Sequence, residues 1–147
     1  MPAPFELAGL DHVVLRVSDL ERSIAFYGEV LGCPVERRLD DLGLVQLRAG
    51  AALIDLVGLE TPLGRAGGGE VVPEGRNVDH FALTLASFDE AAIRAHLDAH
   101  AVEAGKTGER YGATGYGPSI YIQDPDGNVV ELKGPPTEPD AGANTHG

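Results

Sequence analysis

Cysteine, lysine and long apolar runs are all scarce in this 147-residue chain, and each scarcity removes a class of protein. The single cysteine, Cys33, excludes an internal disulfide; directly after Leu31-Gly32 it reads as a small buried apolar residue, not a nucleophile. Two lysines, Lys106 and Lys133, are all the chain has, and the net charge is −12. Such a balance repels phosphate backbones and anionic lipid heads, which excludes nucleic acid and membrane surfaces as partners. No apolar run approaches the roughly 18 residues that a membrane span needs. The first six residues have neither the basic start nor the apolar stretch of a signal peptide, so the expected location is the cytoplasm.

Apolar residues make up 43% and charged residues 23%, an ordinary globular balance in a length that suits one domain, 1–147, or two small halves sharing a core. Residues 11–17 alternate as a strand, and Ser18-Asp19-Leu20-Glu21 reads as a capping box opening a helix. Leu20, Ile24, Tyr27 and Leu31 give that helix one apolar stripe before Gly32 ends it. Strands over 35–39, 44–48 and 51–57 follow, separated by turn-prone Asp40-Asp41 and Ala49-Gly50.

The second half repeats the order: a strand over 79–85, a capping box at Ser87-Phe88-Asp89-Glu90, a helix with Ile93 and Leu97, then strands over 119–123 and 128–133. The last two flank Asp124-Pro125-Asp126-Gly127, a turn with Pro and Gly where a turn wants them. His12 and His80 stand 68 residues apart, and Asp55 and Glu131 stand 76 apart. The chain therefore reads as tandem βαβββ modules over 9–57 and 78–133, with a Gly- and Pro-rich linker over 58–77 and a disordered tail over 134–147. A second Gly-rich loop over 108–118, carrying Arg110, Tyr111 and Tyr116, reads as either a mobile cover or a plain connector.

Strand parity sorts the side chains. Val13, Leu15 and Val17 face one way and His12, Val14 and Arg16 the other; Phe81, Leu83 and Leu85 oppose His80, Ala82 and Thr84. In the last strands Ile54 and Leu56 oppose Asp55, and Val130 and Leu132 oppose Glu131. Four ligand-type side chains thus share a face with apolar Val14, Leu53, Ala82 and Val129, which predicts a concave, partly buried surface. A buried carboxylate costs on the order of several kcal/mol unless it is compensated, and two imidazoles beside it complete a set that a divalent ion satisfies at once. Two His and one carboxylate leave positions open for a substrate. His96 and His100 share a helix face at i and i+4, but no third ligand is placed near them, so they read as surface residues.

The runs Leu10-Asp11-His12-Val13-Val14-Leu15-Arg16-Val17, Asp19 to Tyr27 with Leu31-Gly32, Asp79-His80-Phe81-Ala82-Leu83 and Tyr121 to Leu132 resemble the vicinal oxygen chelate superfamily over nearly all of residues 9–133. That superfamily takes in glyoxalases, fosfomycin-resistance enzymes, bleomycin-resistance proteins, coenzyme-A epimerases and extradiol dioxygenases. The resemblance implies an α+β fold, two tandem βαβββ modules forming an open barrel-like mixed sheet with helices outside, assembled as a homodimer. It implies metal ligands His12, His80 and Glu131 for Zn, Ni, Mn or Fe, and Asp55 as a fourth ligand or a general base.

The shared chemistry of that superfamily is bidentate binding of a small substrate's neighbouring oxygens. A glyoxalase-like lyase or isomerase would stabilise an enediolate on the metal while Asp55 or Glu131 moves the proton; Arg16, Arg48 and Arg110, with Tyr111, Tyr116 and Ser119, are the substrate-binding candidates. An extradiol dioxygenase would use Fe(II) and Tyr121, which faces the cavity by parity, but the His that its signature places before that Tyr is missing from Gly112-Ala113-Thr114-Gly115. A fosfomycin-type enzyme would open an epoxide with a thiol or water. A metal-free drug-binding resistance protein would keep the fold without the ligands, and retention of both His and Glu131 argues against it.

Overall fold

In the computed structural model residues 3–4, 6–71 and 75–137 are described, and the chain divides into two compact units, Met1–Val71 and Val72–Gly147. The first unit runs β1 (His12–Val17), α1 (Leu20–Ala25), a π-helical turn (Phe26–Val30), β2 (Val35–Leu39), β3 (Leu44–Ala49), β4 (Ala52–Gly58) and the short α2 (Pro62–Ala66). The second runs β5 (Phe81–Thr84), α3 (Glu90–Ala99), β6 (Gly108–Gly112), β7 (Gly115–Gln123) and β8 (Val129–Lys133). The sheet orders are β1-β4-β3-β2 and β5-β8-β7-β6. In each, first and last strands pair in parallel and the rest antiparallel, so βαβββ occurs twice. Neither sheet closes on itself.

Parity decides what is buried. Leu47 pairs with Ile54 and Val45 with Leu56, and all four are buried beside Val17, Phe26, Tyr27 and Cys33 on the helix side of the first sheet. In the second, Ile120, Ile122, Val130 and Leu132 are buried, as is Leu97 of α3. Each such side chain contributes about 1.5–3 kcal/mol relative to exposure. The π-helical turn sets an extra residue into the first helix, and Phe26 and Tyr27, packed edge to face 5.1 Å apart, are both buried there. Gly32 then takes a φ of +73°, which an L side chain resists.

Several expectations are corrected. The N-caps are Asp19 and Asp89, not Ser18 and Ser87: each carboxylate accepts from the backbone N–H three residues on, at Arg22 and Ala92, and a charged acceptor is the stronger cap. The linker holds a helix, α2, capped by Thr61. The Gly-rich stretch 108–118 is a β-hairpin, with β6 and β7 paired from Gly108–Ser119 to Gly112–Gly115, because glycine does not prevent ladder pairing when the adjacent strand supplies partners. Of the expected disordered tail, residues 134–137 are tied to β7, Gly134 N donating to Pro118 O and Thr137 N to Tyr116 O; residues 138–147 lie outside the described residues.

Candidate metal centre

Each module brings a histidine close to a carboxylate. In the second, the Asp124 side chain ties the β7–β8 turn together, accepting from the Asp126 and Asn128 amides and from Asn128 Nδ2. Arg76 forks onto the same turn, donating to Asn128 Oδ1 and Asp126 O at 2.8 Å each. The segment that leads into His80 is thereby fastened to the turn that leads into Glu131. His80 Nε2 lies 3.2 Å from Glu131 Oε1, and Nδ1 lies 2.7 Å from Asp79 Oδ2.

A carboxylate only accepts, so the Asp79 contact places a proton on Nδ1, while Nε2 meets a second carboxylate oxygen at Glu131. Nε2 and Glu131 Oε1 thus face each other where Glu131 is only 6% exposed. That arrangement calls for positive charge between them, as a proton or a metal ion. The Tyr121 hydroxyl donates to Glu131, and burial followed by this carboxylate's charge pushes its pKa up. The Tyr121 ring meets His80 edge on at 5.2 Å, and the Arg110 guanidinium carbon lies over the ring, 4.5 Å from its centroid, while Arg110 donates to Ser119 O and Oγ.

In the first module Val14 pairs with Asp55, and His12 Nδ1 lies 2.6 Å from Asp11 Oδ2, the same Asp-His arrangement as Asp79-His80. Asp55 is 4% exposed; Oδ2 accepts from Gln46 Nε2 at 3.1 Å, and Oδ1 has no partner among the described residues. An orphaned buried carboxylate oxygen costs free energy unless a ligand meets it, and it favours a cation. An imidazole backed through Nδ1 by a carboxylate is also the usual metal-ligand arrangement. The donor set therefore fits a divalent ion. Among the described residues no three His, Cys, Asp or Glu side chains are gathered tightly enough to enclose one; the donors stand in pairs, His12 with Asp55 and His80 with Glu131.

The hydrogen bond to Asp11, followed by the charge of Asp55, raises the pKa of His12 above its ordinary 6.5. A raised folded-state pKa stabilises the fold fully below the unfolded value, and that contribution is lost as pH rises through the folded one. NMR titration of the metal-free protein should put His12 above 6.5, and Asp11→Asn should bring it down; an unmoved His12 would refute the Asp11 contact.

The other candidates separate. Arg16 donates to Gly64 O, Gly68 O and Gly69 O at 2.8–3.2 Å, so its guanidinium is spent on the α2 segment. Arg48 shares a face with Asp55 but spends its fork on Glu36, 2.9 Å on both arms, which lowers the Glu36 pKa. Tyr111 pairs with Tyr116 across the hairpin, rings 5.1 Å apart, on the face opposite Arg110 because adjacent strand residues alternate. Arg110, Ser119 and Tyr121 lie on the face of Glu131. The predicted burial of these faces is uneven: Asp55 and Glu131 are buried and Leu53 and Val129 half-buried, while the His12 and His80 side chains are 44% and 33% exposed and Val14 is 50% exposed. Asp11, Asp79 and Gln46 were missed by parity reasoning; an Asp-His dipeptide opening both modules was the available signal.

The family model described as the glyoxalase/bleomycin resistance protein/dioxygenase superfamily matches residues 9–132. The chain is 33% identical over 129 residues to a glutathione transferase FosA of Serratia marcescens, covering 86% of this chain and 80% of that one. It is 31% identical to a catechol-2,3-dioxygenase of Bacillus subtilis, covering 84% of this chain and 40% of that one. The crystal structure of virulence protein STM3117 from Salmonella typhimurium matches at 29% identity and a TM-score of 0.68, covering 89% of this chain and 99% of that one. With two βαβββ modules, an Asp-His pair opening each and a buried carboxylate on each closing strand, the chain belongs to the glyoxalase/bleomycin resistance protein/dioxygenase superfamily, that of the vicinal oxygen chelate proteins.

Proposed function

We propose that this chain is a divalent-metal-dependent lyase or isomerase of the glyoxalase kind, acting as a homodimer on a small molecule with neighbouring oxygens. His12, His80 and Glu131 would hold the ion, with Asp55 as a fourth ligand or as the base. When bound, a divalent ion supplies Lewis acidity toward the substrate's oxygens. The single observation that carries this reading is His80 Nε2 facing the buried Glu131 carboxylate at 3.2 Å.

The chain's own residues divide the work. Asp79 and Asp11 fix the imidazole tautomers, Tyr121 holds one oxygen of Glu131, and the unpartnered Oδ1 of Asp55 accepts a proton from substrate carbon. Homodimer formation is supported by β1 and β5 lying at the ends of their sheets, with Leu7, Leu10, Val14 and Val78 exposed around them. A second reading, addition of a thiol to an epoxide as in fosfomycin resistance, is favoured by the FosA relative and by the Arg110, Ser119 and Tyr121 cluster. A dioxygenase reading is weaker because no histidine occurs between His100 and the β7 tyrosine.

Metal-reconstituted protein should be offered the glutathione hemithioacetal of methylglyoxal, fosfomycin with glutathione, and catechol under oxygen. Turnover of the hemithioacetal, lost in Asp55→Asn, is the expected result. Consumption of fosfomycin would establish the second reading instead, and oxygen uptake with catechol would overturn both.

A further inference from the structure

Helix α3 carries two histidines that none of the chemistry above uses. His96 and His100 stand at i and i+4, which sets them one above the other on one face, and both are exposed. Leu97, between them in sequence, is the residue that α3 buries. The pair therefore lies on the solvent side of the helix.

The end of α3 is built so that the second histidine keeps its place. His100 is the C-cap, and its N–H donates to Leu97 O at 3.1 Å. Beyond it Ala101 N donates to Asp98 O at 3.0 Å and Val102 N to Leu97 O at 2.9 Å, the two bonds that close a helix end when the next residue turns left-handed. Ala101 makes that turn with a φ of +57°, the one positive value outside glycine among the described residues. The last turn is thus fastened by three backbone bonds, with His100 held one turn beyond His96.

Their rings lie with centroids 4.7 Å apart and planes inclined at 59°. Two imidazoles in neighbouring positions around one ion, each nitrogen ~2.0–2.1 Å from it, have centres roughly 4.5–5 Å apart. The observed spacing falls within that range, so a chelate requires little rearrangement of either side chain. The C-terminal end of a helix carries partial negative charge that favours a cation, and the net charge of −12 acts in the same sense. Among the described residues no third His, Cys, Asp or Glu completes the pair. Two nitrogens with the remaining positions left to water suit a tetragonal ion, Cu(II) first and Ni(II) second, which also bind such donors more tightly than the earlier divalent metals do.

We propose that His96 and His100 form a second metal site, a two-imidazole surface chelate for Cu(II) or Ni(II) that is independent of His12, His80 and Glu131. With two protein ligands it is weaker than a three-ligand set, and its open positions take water or a donor atom from another molecule. Copper or nickel bound beyond one equivalent per chain is the expected consequence.

Copper(II) sulfate titrated into the full-length protein in a non-coordinating buffer tests the site. The ring C–H resonances of the five histidines are followed by NMR, because the paramagnetic ion broadens the rings that bind it. His96 and His100 should broaden together and saturably. Either His96→Ala or His100→Ala should weaken the response of the remaining ring at least about 10-fold, since the second ligand of a chelate binds intramolecularly. Both positions are exposed, and circular dichroism of each variant checks that α3 is kept. His80→Ala should leave the response of the pair unchanged, so this site and the reaction-site reading fail separately. No saturable broadening of the pair, broadening of one ring without the other, or an undiminished response in either alanine variant would overturn the chelate.

Discussion

Replacing His80 with alanine should abolish stoichiometric metal binding, while replacing His96 should leave it intact. The His80 ring is held at both nitrogens, with Asp79 fixing the Nδ1 proton and Nε2 turned to Glu131. Losing a ligand of this kind should exceed the roughly 10- to 100-fold weakening that loss of an outer partner such as Asp79 brings. His96 and His100 sit one turn apart on α3 with ring centroids 4.7 Å apart, and a pair without a third ligand binds weakly. Metal content by mass spectrometry, with affinity by calorimetry, checks both variants. Retention by His80→Ala with loss in His96→Ala would move the site to α3.

Asp55→Asn should change stability in opposite senses with and without metal. In the metal-free protein the carboxylate is 4% exposed with one oxygen unpartnered, and removing its charge in place should raise the unfolding free energy, because a neutral amide is less costly to bury than a carboxylate. Metal stabilises the native state in proportion to its affinity for that state, so the same variant should gain less from added metal than the wild type. Urea unfolding with and without the divalent ion measures both. A metal-free protein destabilised by the change would mean that the Gln46 contact alone justifies Asp55, and would remove it from the proposed chemistry.

The Asp-His dipeptides opening β1 and before β5 were legible because strand alternation is a local rule. Parity placed His12, Asp55, His80 and Glu131 opposite the buried apolar set without reference to tertiary contacts. The same rule read the strands of both modules to within a few residues, apart from the β6–β7 hairpin, and its failure there is instructive. Glycines at 108, 112, 115 and 117 have no side-chain pattern to read, so only the pairing with β7 reveals a strand.

Long side chains escaped the sequence for a different reason. Three arginines were equivalent candidates for substrate because a guanidinium reaches in many directions, and its partner is chosen by whatever acceptor the fold brings within range. Arg16 found backbone carbonyls of the α2 segment, Arg48 found Glu36, and Arg110 alone came to rest over Tyr121. Lys133, unremarkable in the sequence, became a buried ammonium for the same reason. Sequence by itself determined the repeated βαβββ order, the family and the face that each ligand-type residue occupies, because alternation along a strand is set by backbone geometry. Tertiary structure alone decided which charges meet, which stay unpartnered and which are spent on scaffolding, because those outcomes depend on distances between segments far apart in the chain.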